Sequence, residues 1–170
     1  MKLNKLFLLL GLIMGAFVFT ACGDDEPDPK AKQSELNKEV VGVYNGWTHL
    51  ETNFINKDYT GDTFTLAQSE DGSLTATFAD ATWGTATITG INASKIESGE
   101  GYLLQEGEGS FVMNNPRENT TEEFGCRLSH ATISADKKQM MSVIIANMTT
   151  TGGHGEMTFT FHTGILPTEE

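Results

Sequence analysis

The sequence predicts an all-β protein built as a single antiparallel up-and-down β-barrel of about eight strands. From Glu39 onward, apolar residues alternate with threonine and serine along most of the chain, which is the period of half-buried strands. Short turn signals separate these runs, so consecutive strands are expected to pair as a meander. A meander removes its exposed edges most simply by closing into a barrel, and a two-sheet sandwich is the alternative.

The first four predicted strands are separated by short turn-forming segments. Threonine alternates with apolar residues over 63–66 and again over 73–78. Glu70-Asp71-Gly72 lies between these runs and is typical of a hairpin turn. The same alternation returns over 85–89 after the next break. The strands predicted in this half are 40–55, 61–69, 73–80 and 84–96.

The second half continues the meander with glycine, proline and charged turns. Glycine-rich segments at 97–101 and 105–109 separate two short runs, and Pro116 ends a strand because it has no backbone N–H to donate. Asp136-Lys137-Lys138 predicts another turn, and the glycines around His154 join the last two strands. The strands predicted here are 101–106, 109–115, 124–134, 139–149 and 156–163.

The strand at 140–148 departs from simple alternation. Methionine, valine and isoleucine place apolar groups on both of its faces. We therefore expect its outer face to be covered by the N-terminal segment, by a long loop or by a partner. Core packing is the simpler explanation, and a role in lining a ligand site is the alternative.

The N-terminus has the features of a lipoprotein export signal. Lys2 and Lys5 precede an apolar run of 14 residues at 6–19, which is too short to span a bilayer. Phe19-Thr20-Ala21-Cys22 follows and resembles a bacterial lipobox, in which cleavage precedes a cysteine that is then lipidated. We interpret 1–21 as the signal peptide and Cys22 as the lipidated residue. The alternative is an ordinary signal peptide with a cysteine at this place by chance.

Residues 22–38 form a predicted polar tether, and the barrel is expected over 39–166. The tether is acidic at its start and offers at most a short helical turn at 32–38. The acidic run after Cys22 resembles the surface-export signal of Bacteroidota lipoproteins. We expect a cell-envelope protein held in the outer membrane by acyl chains and displayed at the cell surface, with a periplasm-facing domain as the alternative.

Charge and cysteine content exclude several classes of protein. The net charge of the 170-residue chain is −12, and it becomes −14 once Lys2 and Lys5 leave with the signal peptide. An acidic surface repels phosphate, so a nucleic-acid partner is not expected. If Cys22 is lipidated, Cys126 has no intrachain cysteine to pair with. We predict that Cys126 is a small buried core residue.

The sequence contains no recognisable catalytic or metal-binding motif. No phosphate-binding glycine loop and no nucleophile elbow are present. The histidines are too scattered to form a local metal site, and nothing singles out one pair of carboxylates for acid–base work. We therefore expect no enzyme activity, no cofactor and no metal. The histidines are His49, His130, His154 and His162, of which His162 is expected to point outward.

Amphipathic aromatic residues are the best candidates for ligand contact. Such rings either cap one end of a barrel core or line the opening of a cavity. Methionine adapts to varied apolar ligands. The candidate ligand-binding residues are Tyr44, Trp47, Trp83, Tyr102 and Met141, with core or capping roles as the alternative.

Several motifs resemble one known family. The sequence Val-Gly-Val-Tyr-Asn-Gly-Trp at 41–47 opens the first strand, Asp-Gly-Ser-Leu-Thr-Ala-Thr-Phe follows at 71–78, and Met-Thr-Phe-Thr-Phe-His-Thr-Gly closes the last at 157–164. Together with 84–91, these segments resemble the calycin-like lipoproteins of Bacteroidota over about 39–164. The resemblance implies a lipocalin-like barrel, and it implies no settled function.

Two functions from different classes remain open at this point. The barrel is expected to bind a small apolar or amphipathic ligand, since eight strands enclose enough space for one small molecule. The alternative is a non-catalytic protein-interaction or structural lipoprotein with a solid barrel. The side chains that fill the barrel interior decide between them.

Overall fold

The computed structural model describes residues 28–115, 119–150 and 153–168. It confirms an all-β fold in which eight antiparallel strands close into a barrel. The predicted signal peptide, Cys22 and the acidic run after it lie outside the described residues. The strands are β1 (Gly42–Glu51), β2 (Asn56–Gln68), β3 (Leu74–Asp80), β4 (Gly84–Ile91), β5 (Ala93–Lys95), β6 (Gly101–Leu104), β7 (Gly107–Asn115), β8 (Thr120–Ser134), β9 (Met140–Thr150) and β10 (Gly153–Thr163).

The barrel is a meander with one inserted hairpin. Its strand order is β1, β2, β3, β4, β7, β8, β9 and β10, and β10 returns to pair with β1. The β5–β6 hairpin interrupts the sequence between β4 and β7. The long strand β8 accommodates both neighbours on one edge, because β7 pairs with its first half and β6 pairs with Ala131–Ser134. The predicted up-and-down topology is therefore present, with the hairpin as an extension of the sheet.

Two predicted strands are shorter than expected, each for a local reason. The run at 40–55 ends at Glu51, because the Thr52 hydroxyl accepts the N–H groups of Phe54 and Ile55 and forms a turn. The run at 84–96 is divided at Asn92 into β4 and β5. Gly90 just before the break has a φ of 73°, a left-handed conformation that favours glycine.

The axis of the barrel is filled by aromatic side chains. Five phenylalanine residues are fully buried, and adjacent ring centroids lie 5.1 to 6.2 Å apart. Each buried ring contributes roughly 1.5–3 kcal/mol through the hydrophobic effect. This part of the interior is packed core rather than ligand space. The residues are Phe64, Phe78, Phe111, Phe159 and Phe161.

A helix, α1 (Pro29–Glu39), covers one end of the barrel, called here the closed end. The sequence predicted a polar tether here, yet polar groups dock the helix. The fully buried Asn37 donates to the Gly72 carbonyl and accepts from the Ala93 N–H, both at 2.8 Å. Among the described residues, no helix has the length and apolar character needed to cross a bilayer.

Strand β9 has two apolar faces, as the sequence predicted. Met140 and Ile144 point into the barrel and are buried. Met141, Val143 and Ile145 lie on the outer face and stay partly exposed. These three residues form what we call the outer strip.

Candidate functional site

Two buried carboxylates lie near the end of the barrel opposite α1, called here the mouth. Asp62 on β2 is 1% exposed and Asp80 on β3 is 4% exposed. Thr63 pairs with Ala79 in the β2–β3 ladder, and each aspartate is the next residue toward the mouth. The two carboxyl groups therefore project inward from adjacent strands at the same level.

A β-bulge shapes the wall beside Asp62. Gly46 pairs with Asp62 but Trp47 pairs with Thr60, so Gly61 is an extra residue in β2. Gly61 has a φ of 87°, which only glycine adopts without strain. Because of this extra residue, the inward-facing positions of β2 shift by one before Gly61. Tyr59 rather than Thr60 therefore lies opposite the inward-facing Thr48. Tyr59 thus joins the inner surface of the mouth and packs against the core.

Several buried oxygen atoms of this site have no hydrogen-bond partner. Oδ1 of Asp80 accepts the backbone N–H groups of Thr82 and Trp83 at 2.7 and 2.8 Å, and this fixes the turn at 81–83. Its other oxygen, Oδ2, has no partner. Both carboxylate oxygens of Asp62 and the hydroxyl of the fully buried Thr48 also have none. Four acceptor atoms are therefore buried at the mouth without a donor.

Burial and repulsion from Asp80 make ionisation of Asp62 unfavourable. Desolvation is the main cause that raises the pKa of Asp62, and the negative charge of Asp80 raises it further. The Thr48 hydroxyl and the Ala81 N–H lower that pKa, although neither reaches good hydrogen-bond geometry with the carboxylate. None of the ion pairs in the described part of the chain involves Asp62 or Asp80. The pair is left without a counter-charge.

Two aromatic side chains and a lysine lie at the mouth near the carboxylates. Tyr59 and Trp83 meet edge to face, with ring centroids 6.1 Å apart. The indole N–H of Trp83 is buried and has no acceptor. Lys57 lies on the same side of β2 as Tyr59, and its Nζ is 5.4 Å from the centroid of the Tyr59 ring. The mouth thus combines negative charge, hydrogen-bond acceptors and aromatic surface.

The candidate ligand-binding residues lie at three separate places. Trp83 is at the mouth. Tyr44 and Tyr102 are at the closed end, where their hydroxyls donate to the Val40 carbonyl at 3.1 Å and to Glu39 at 2.6 Å. The remaining two lie on the outer wall. Trp47 stacks on His162 with centroids 4.6 Å apart, and Met141 pairs with His162 across β9 and β10.

Sequence reasoning missed Asp62 and Asp80, although a signal was present. Asp62 precedes Phe64 and Leu66 at a spacing of two, which places it on the apolar face of its strand. Asp80 follows Phe78 in the same way. A charged residue in phase with the core positions is therefore the pattern that would have identified this site.

Other features of the described chain offer less chemistry. One surface depression, about 700 Å³, is a broad groove on the outer wall beside the mouth, and its lining includes Glu51 and Glu156. The described residues do not bring three histidine, cysteine or acidic side chains together as a metal site.

Comparisons with family models, curated proteins and solved structures gave no match for this chain. The mouth is therefore the best-supported starting point for a function.

Proposed function

We propose that the protein is an envelope lipoprotein of the calycin-like type that binds a small amphipathic ligand at the mouth of its barrel. The observation behind this proposal is the group of unpaired acceptors on Asp62, Asp80 and Thr48. Buried polar groups in folded proteins nearly always have partners, and exceptions concentrate at functional sites. A ligand that donates hydrogen bonds would supply the partners that these oxygen atoms lack.

The filled axis is the reason to propose the mouth rather than the barrel interior. An apolar ligand along the axis would have to displace buried rings such as Phe111 and Phe159. At the mouth, an amphipathic molecule can place its polar group on the carboxylates and its apolar body against Tyr59 and Trp83. This arrangement keeps the predicted small ligand and changes its location.

Anchoring through Cys22 is the second part of the proposal. It rests on the positive residues, the short apolar run and the cysteine that follows. The test is Cys22→Ser in the full-length chain, expressed in a bacterial host and labelled with a clickable palmitate analogue. We expect the variant to lose both the label and its place in the outer-membrane fraction. Equal labelling of the variant and the native chain would refute the lipid anchor.

Ligand binding at the mouth is tested by thermal shift of the full-length chain in detergent. The panel contains amines, carboxylates, bile acids, fatty acids and glycans. We expect at least one amphipathic compound to raise the melting temperature in the native chain but not in Asp80→Asn. If no compound raises it, or if the responses of the two proteins are equal, binding at the mouth is wrong.

A protein-interaction function is the second candidate, and the outer strip favours it. Met141 pairs with His162, which stacks on Trp47 of the neighbouring strand, and Val143 and Ile145 follow Met141 along the outer face of β9. Partly exposed apolar side chains of this kind can form the centre of a protein interface. Chemical crosslinking on cells tests it, with Val143→Asp as the variant. Val112→Asp on β7 is the matched control, because Val112 is also exposed on the outer wall.

A further inference from the structure

We infer that the ligand of the mouth is a primary amine, whose ammonium group lies between Asp62, Asp80 and Thr48. This inference rests on the proposed function, since it names the chemistry of the same site. The unpaired atoms themselves indicate this class of ligand. The site presents buried acceptors on three side chains, and no side chain of the described residues donates to them with good geometry.

The number and type of hydrogen-bonding groups match an ammonium head. An ammonium of the form R–NH₃⁺ has three N–H donors and no acceptor. The site offers four unpaired acceptors, namely both oxygens of Asp62, Oδ2 of Asp80 and Oγ1 of Thr48. The number of unpaired acceptors is therefore sufficient for all three donors. Because each bond to a carboxylate is charge-assisted, such bonds are about twice as strong as neutral ones.

The charge of the site also favours a monovalent cation. Burial and the charge of Asp80 raise the pKa of Asp62, so a cation held between the two carboxyl groups would offset the cost of ionising Asp62. A divalent metal prefers six or more oxygen ligands, and no third acidic side chain joins the pair in the described residues.

The aromatic surroundings suit the organic part of an amine. Lys57 already places its ammonium over the Tyr59 ring, which shows that this ring face attracts a cation. Beside it, Trp83 offers a buried indole N–H without an acceptor. A short arylalkyl or alkyl chain would pack against these rings, while the ammonium reaches the carboxylates.

The first test compares three ligands that share one apolar body. 2-Phenylethylamine, 2-phenylethanol and phenylethyl-trimethylammonium are titrated into the full-length chain in detergent by calorimetry. We expect the amine to bind at least about tenfold more tightly than either analogue, because the alcohol lacks the charge and the trimethyl compound lacks the N–H donors. Equal affinity of amine and alcohol would overturn the amine inference while leaving binding at the mouth intact.

The second test uses variants with matched charge changes. Asp62→Asn and Asp80→Asn are expected to weaken amine binding about 10- to 100-fold, which corresponds to losing one charge-assisted interaction. Asp58→Asn removes one charge from the outer face of the same strand and is the control, with unchanged affinity expected. Lys57→Met removes a competing cation and is expected to tighten binding.

Thr48→Val keeps the test decisive if an aspartate variant fails to fold. It preserves the shape of the side chain and removes one acceptor, so we expect amine affinity to fall several-fold.

Calcium and magnesium chloride are added to the full-length chain as a third test. If either ion stabilises the native chain, and Asp62→Asn removes that effect, the site binds a metal and the amine inference is wrong. If the native chain binds none of the three phenylethyl compounds, the proposed function itself is refuted.

Discussion

Asp62 and Asp80 project from neighbouring strands into one buried layer of the barrel, each one residue beyond the paired Thr63 and Ala79. Two carboxyl groups placed in this way repel each other and lose their hydration. A sequence selected only for stability would place apolar residues here, as it does one level deeper with Phe64 and Phe78. The pair therefore reduces stability in the free protein, and this has measurable consequences.

Removing one of the two charges should stabilise the free protein. We expect Asp62→Asn to increase the free energy of unfolding by about 1–2 kcal/mol, since a neutral amide is cheaper to bury than an unpaired carboxylate. Urea denaturation at pH 8, without ligand, measures the change. Asp58→Asn, on the exposed outer face, is the control and is expected to change stability by less than about 0.5 kcal/mol. A large loss of stability in Asp62→Asn would mean that the carboxylate has a structural role.

The aromatic core should be highly sensitive to truncation. Phe159 is fully buried and lies 5.1 Å from the Phe111 ring and 5.5 Å from the Phe78 ring. Phe159→Ala leaves a cavity between them, so we expect a loss of about 3–5 kcal/mol. Phe54 is 96% exposed, and Phe54→Ala is the matched control with little expected effect. A loss below about 1 kcal/mol in Phe159→Ala would indicate a loosely packed interior.

His162 should make stability fall as the solution becomes acidic. Partial burial lowers its pKa below the ordinary 6.5, and the nearby His49 lowers it further, while Asp58 acts in the opposite direction. The unfolded chain then binds a proton that the folded chain resists, so stability is lost as the pH falls through this range. We expect the pH profile of His162→Gln, from urea denaturation between pH 5 and pH 8, to be flatter than that of the native chain. Parallel profiles would contradict this.

Cys126 should be chemically inert in the folded protein. Burial raises the pKa of its thiol to about 11, so the reactive thiolate is scarce at neutral pH. We expect no reaction with Ellman's reagent at pH 8 in native Cys22→Ser protein, which leaves Cys126 as the only thiol. One thiol should react once guanidinium unfolds the chain. Rapid labelling before denaturation would show that this wall of the barrel opens.

Much of the fold was predictable because alternation reports one buried face directly. The inward positions of β3 and β10 follow the pattern residue by residue, and Cys126 is buried as predicted. His162 lies on the outer face against Trp47, also as predicted. These features depend only on the alternation of apolar and polar residues along one strand, which is visible in a single sequence.

The site was harder to predict because it depends on register between strands. Asp62 and Asp80 are 18 positions apart in the chain, and only the pairing of β2 with β3 makes them neighbours. The bulge at Gly61 decides that Tyr59 turns inward, and a glycine in a strand does not by itself reveal a bulge. Helix α1 was underestimated because its docking uses hydrogen bonds from Asn37 rather than an apolar stripe.

If Cys22 carries a lipid, the docking of α1 on the closed end limits how far the barrel can lie from the membrane. A free chain from Cys22 to the first strand would reach on the order of 60 Å, whereas six residues from Cys22 to Asp28 span only about 20 Å. In that case the helix, packed on the barrel, leaves only a short linker to the lipid instead of a long flexible one. The barrel would then stand close to the bilayer with its closed end nearest the lipid, and its mouth would face the surrounding medium.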